Sequence, residues 1–152
     1  MTTTRALAIE LDALGDTRAL WLAWLESARG VLDVDTDELP ADRADAAVAL
    51  DRAGVGNWRT LLQRFSEDHA PAFLRRDAAT SARLQALVDA GATLGVFTDA
   101  PDELARTALA QLGASRRISA LETGPGAFER LLDAIGRDAT VVRTRADLLK
   151  GA

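Results

Sequence analysis

Two carboxylates two residues apart, Glu10 and Asp12, follow the short apolar run Leu7–Ile9 in ALAIELDALGDT, residues 6–17, and a turn at Gly15-Asp16 comes directly after them. Acidic groups at the end of a buried strand are how an α/β protein presents chemistry at the carboxyl edge of its sheet. Side chains alternate along a strand, so Glu10 and Asp12 are expected on one side, facing the space beyond that edge. A third candidate is Thr98, whose hydroxyl closes a second apolar run, TLGVFT at 93–98. Its position fits a cap for the helix that follows Pro101.

These residues need elements to hold them, and the chain supplies a regular series. Residues 17–29 read as an amphipathic helix with Leu20, Trp21, Trp24, Leu25 and Ala28 on one face, and Asp16 or Thr17 as its N-cap. The two Trp side chains fit either helix packing or a pocket wall. Residues 31–39 form an acidic connector, read as a solvated loop because the Gly and distal Glu of a calcium loop are missing. Helices are expected over 41–53 and, capped by Asn57, over 58–68. A further helix spans 80–90, with strands at 93–98, 118–121 and 140–142 and a helix at 126–136. His69, the sole histidine, has no second ligand or nucleophile near it in sequence and reads as a surface residue at a helix end.

At 152 residues and 16.2 kDa the chain is long enough to bury one proper core. A net charge of −5, with no Lys/Arg run, argues against nucleic acid or an anionic membrane as the main partner. The absence of Cys excludes thiol catalysis and cysteine metal sites. No apolar run approaches the ~20 residues of a membrane span, and a cytoplasmic location is the default expectation. The only Lys is Lys150, so nearly every positive charge is an Arg.

The first stretch resembles the opening motif of the haloacid dehalogenase-like (HAD) hydrolase superfamily, an apolar run followed by Asp-x-Asp-Gly-Thr-x-x-Asp-Thr. Here the matching residues are Glu10-Leu11-Asp12-Ala13-Leu14-Gly15-Asp16-Thr17. The resemblance continues through LQALVDAGATLGVFTDAPDELARTALAQLG, where Thr98 matches the Ser or Thr that binds a phosphoryl oxygen and Leu112-Gly113 ends the following helix. It implies a small HAD-like Rossmannoid parallel sheet of about four strands flanked by helices, with a short all-helical cap inserted after the first strand. The core is then 1–17 and 80–152, and the cap 18–79.

The same resemblance implies roles. Glu10 stands where the family has its Asp nucleophile, and Asp12 where it has the general acid/base. Gly124-Pro125 replaces the usual Lys, leaving Arg116 or Arg117 as the cations that could reach in. Arg143-Thr144-Arg145-Ala146-Asp147 replaces the acidic motif that holds magnesium, so Asp147, with Glu10, is the metal candidate. Arg143 stands near the lost acid, where it either pairs with Glu10 or Asp12 in place of the metal or extends into solvent.

Phosphoryl transfer needs an in-line nucleophile, a cation and a leaving-group acid. A Glu in place of Asp shifts the attacking oxygen by roughly an ångström, which can cost about a hundredfold. The expectation is a pseudo-hydrolase, inactive or very weak, serving as a binding or regulatory module for a small phosphorylated molecule or a protein partner under the cap. The alternative is a magnesium-dependent phosphomonoester hydrolase using Glu10 and Asp12, with replacement ligands from Asp16, Asp99 or Asp147. Magnesium belongs to the second reading; the first needs no cofactor.

Overall fold

Apolar runs become strands and the Ala/Leu-rich stretches between them become helices. A computed structural model describes residues 5–150; residues 1–4 and 151–152, at the outer ends of the expected core segments, lie outside the described residues. The order is β1 (Ala6–Glu10), α1 (Thr17–Val31), α2 (Arg43–Arg52), α3 (Trp58–Phe73), α4 (Ala78–Asp89), β2 (Thr93–Thr98), α5 (Asp102–Gln111), β3 (Ala120–Thr123), α6 (Ala127–Ile135), β4 (Thr140–Val142) and α7 (Arg145–Leu149). The four strands pair in parallel in the order β3-β2-β1-β4, with Ile9 in register with Val96 on one side and Val142 on the other. β1 is therefore central and buried on both faces, which its apolar sequence requires. The strand order changes direction between β1 and β4, the position where open α/β sheets place their ligand crevice.

The helical insertion after β1 shares one continuous core with the sheet. Leu7 and Ile9 of β1, Leu94 and Val96 of β2, and the buried Trp21, Trp24 and Trp58 belong to the same apolar cluster. Trp24 lies between the other two, at ring-centroid distances of 5.1 Å from Trp21 and 5.9 Å from Trp58. The tryptophans are thus core, and they fasten α1 to α3. On the opposite face α6 packs Leu131 and Leu132 against Ala8 and Phe97.

Gly95, in the middle of β2, permits that approach. A Cβ there would lie 2.6 Å from Leu131 Cδ1 and 3.1 Å from Ile135 Cδ1. Gly95→Ala is expected to cost about 1–3 kcal/mol through overpacking, read as a lower urea midpoint at unchanged slope.

Several local expectations shift. α3 runs past His69 and through Pro71 to Phe73, because Ala70 and Leu74 are buried anchors and the Leu74 amide still donates to the Ala70 carbonyl at 2.8 Å. His69 is exposed and stacks on Phe65. Asn57 precedes α3 in a left-handed conformation (φ 60°) and makes no side-chain cap. The acidic connector contains a 3-10 turn, Thr36–Glu38, whose buried Thr36 hydroxyl accepts from Arg29 Nε at 3.3 Å. β3 begins two residues later than the apolar pattern at Ile118 suggests. No helix among the described residues is long and apolar enough to cross a membrane.

Candidate active site

β1 ends at Glu10, and the chain turns at once into a 3-10 turn, Leu11–Ala13, that buries Leu11 and Ala13. Strand alternation therefore stops before Asp12, and the two carboxylates take different partners. Asp12 Oδ1 accepts from the Thr17 amide at 2.8 Å and the Thr17 hydroxyl at 2.6 Å, at the first turn of α1. Asp16 accepts from the Arg18 amide at 3.0 Å, so the two acids together satisfy the start of this helix. Thr98, at the end of β2, accepts from the Ala100 amide at 3.1 Å; it closes the turn rather than capping α5.

A residue the sequence reading passed over organises the site. Arg43, the first residue of α2, is only 1% exposed. Its Nε donates to Asp99 Oδ1 at 2.9 Å and its NH1 to Thr17 Oγ1 at 2.7 Å. Its NH2 donates to Asp12 Oδ2 at 3.0 Å, lies 2.9 Å from Asp99 Oδ1, and reaches Thr98 Oγ1 at 3.4 Å. The Arg43 backbone amide donates to Asp99 Oδ2 at 2.9 Å. Every guanidinium nitrogen thus has an acceptor, as a buried charge requires. Arg18 adds a second, half-exposed guanidinium 3.9 Å from both Asp12 and Asp99. Burial pushes the Asp99 carboxyl up, but the Arg43 amide and guanidinium, with Arg18, outweigh it and hold the group below its ordinary range.

Glu10 lines a cleft at the carboxyl ends of the strands, with Phe97, Thr98, Gly124 and Arg143. Its Oε2 lies 3.4 Å from Arg143 NH1, and that guanidinium also sits over the rings of Phe97 and Phe128, at 5.3 and 5.1 Å. Of the two placements considered for Arg143, pairing with Glu10 is the one observed. Arg116 and Arg117 do not enter the site: they belong to the 3-10 turn before β3, at the other edge of the sheet. Asp147 is exposed in α7; its amide donates to Thr144 Oγ1 at 3.1 Å and its carboxylate lies 3.8 Å from Lys150.

Of the acids named for magnesium, Glu10 pairs with Arg143, Asp16 caps α1, Asp99 accepts from Arg43 and Asp147 lies beside Lys150, and among the described residues no group of three or more His, Cys, Asp or Glu side chains is placed to hold a metal ion.

A central parallel sheet with a helical insertion after its first strand, and acidic and hydroxyl groups gathered at its carboxyl edge, is a HAD-like Rossmannoid fold. The crystal structure of a putative beta-phosphoglucomutase from Thermotoga maritima superposes on it with a TM-score of 0.56, over 92% of this chain and 75% of that one, at 13% sequence identity. At that identity the similarity is one of fold. No protein-family profile matches the sequence, and no curated protein matches it.

Proposed function

We infer that this chain is a non-hydrolytic HAD-like module, a pseudo-hydrolase whose residues 18–79 form a cap fastened over the site. The observation that carries this reading is the buried Arg43 guanidinium, which bridges Asp12, Asp99, Thr17 and Thr98. In a working site the region between the acid/base carboxylate and the Thr hydroxyl receives the phosphoryl group and its cation. Here a side chain of the protein supplies positive charge in that region and is held by more hydrogen bonds than a diffusing ion could readily displace. Arg18 and Arg43 together offset Asp12 and Asp99, charge for charge.

Glu10 has a different partner from the acids of this cluster. Its Oε2 pairs with Arg143 NH1 at 3.4 Å, and the extra methylene relative to Asp changes the reach of the carboxylate that would attack. What remains open is the cleft bordered by Glu10, Arg18, Asp45, Phe97 and Arg143, about 440 Å³ in volume, and it is here that a small molecule or a partner segment would meet the module.

A panel of phosphomonoesters, assayed with and without magnesium on the wild type, Glu10→Asp and Asp12→Asn, tests the reading. No turnover above background is expected in any form, and no stabilisation of the wild type by millimolar magnesium in a thermal melt. Metal-dependent turnover that disappears in Asp12→Asn would instead establish a phosphatase with Glu10 as nucleophile.

A further inference from the structure

The amino-terminal edge of the sheet, opposite Glu10 and Thr98, carries a second cleft of different electrostatic character. It has a volume of about 900 Å³ and lies beside Ala92 and Ser119, the residues that immediately precede β2 and β3. Arg76, Arg116 and Arg117 line it, and among its described lining residues there is no carboxylate. In a chain of net charge −5, three guanidiniums gathered without an acid contrast with the carboxyl edge, where each cluster arginine has its Asp or Glu.

The cleft is built rather than incidental. Arg117 is held by donating from Nε to Gln85 Oε1 at 2.9 Å and from NH1 to the Gly113 carbonyl at 3.2 Å, both neutral acceptors, while the Gln85 amide donates in turn to Asp89 Oδ1 at 2.8 Å. Arg76 lies directly on the backbone of Gly113, where a Cβ would come within 2.8 Å of Arg76 Nε. Gly113 also has φ +71°, so the left-handed turn that ends α5 and the seat for Arg76 need the same residue. Among the described residues neither Arg76 nor Arg116 makes an ion pair. Ser115 and Ser119 add exposed hydroxyls, while Val88, Ala92 and Ala110 give the wall an apolar part.

We propose that this cleft binds a small molecule bearing a multiply charged phosphate group, with Arg76, Arg116 and Arg117 on the phosphate oxygens and Ser115 and Ser119 within reach of it. Guanidiniums present paired N–H donors that match phosphate oxygens, and like charges lining one cleft repel one another until an anion of comparable charge arrives. Sites for small ligands commonly combine such a few polar groups with an apolar wall in a cleft of this size. The site is separate from the carboxyl edge, and its existence does not depend on whether Asp12 and Arg43 form a dead or a living centre.

Titration of the whole chain with pyrophosphate at low ionic strength, followed by amide chemical shifts and by calorimetry, decides the matter. Saturable shifts are expected on Gln85, Ser115, Arg117 and Ser119. The double variant Arg76→Ala/Arg116→Ala should bind about tenfold or more weakly, whereas Arg52→Ala/Arg64→Ala, which removes the same charge from exposed positions elsewhere, should bind as the wild type does. Absence of saturation at millimolar pyrophosphate, shifts centred on Thr98 and Arg143, or equal weakening in both double variants would overturn the proposal.

Discussion

Replacing Arg43 by Met is expected to destabilise the protein by about 3 kcal/mol, lowering the melting temperature by roughly 10 °C. The side chain is buried and its charge faces Asp12 and Asp99, which retain only about a fifth of their exposure. Removing the guanidinium leaves two carboxylates close together with Arg18 as their remaining cation, itself 3.9 Å away from each. Loss of one member of a buried ion pair typically costs 3–5 kcal/mol, and the partial exposure of both acids places this case at the lower end. Arg43→Lys should recover little of the loss, because a single ammonium cannot reach Asp99, Asp12 and Thr17 together. Urea denaturation of the three proteins measures this directly, and equal midpoints for wild type and Arg43→Lys would mean that charge alone matters. Millimolar magnesium should raise the midpoint of Arg43→Met while leaving the wild type unchanged, since the variant frees the Asp12 and Asp99 oxygens that Arg43 holds.

Trp24→Ala is expected to have an effect at least as large, about 3–5 kcal/mol. Trp24 is 2% exposed and stands between Trp21 and Trp58, so its removal opens a cavity at the junction of α1 and α3. The loss should be accompanied by weaker protection of α1 and α3 against proteolysis, measured on the folded protein. Trp24→Phe, which keeps an aromatic ring there, should cost less than half as much; parity between Phe and Ala would mean that the indole's packing contributes nothing of its own.

The sheet was largely legible from the residues. The strands at 93–98 and 140–142 have the bounds their apolar runs indicate, and β1 is central because it is apolar on both faces. Helix starts were legible where an acid caps them, as Asp16 does for α1. The end of α3 was not: the helix continues past 68 and through Pro71, because Ala70 and Leu74 are buried anchors that a local reading does not reveal. Within the site, the positions of Glu10, Asp12 and Thr98 at the sheet edge could be read, but their partners could not. Arg43 is 31 residues from Asp12 and 56 from Asp99, and no local pattern encodes a contact across such separations. One signal was present: Arg43 falls on the helical stripe it shares with Ala46, Ala47 and Leu50, the face that α2 buries, where an arginine demands partners. Asp12 was misjudged because the strand ends two residues earlier than its alternation was extended.

Arg43 joins the helical insertion to the loop after β2 through its backbone amide as well as its side chain, and the shared tryptophan core continues that junction inward. A lid that opens independently has its own low free energy of exposure, distinct from that of the domain beneath it. Here the tryptophans of α1 and α3 belong to the apolar cluster that also contains Leu7, Ile9, Leu94 and Val96, and Arg43 ties α2 to Asp99 after β2. In native-state hydrogen exchange the insertion and the sheet should therefore behave as one foldon, and their slowest amides should converge on the free energy of global unfolding.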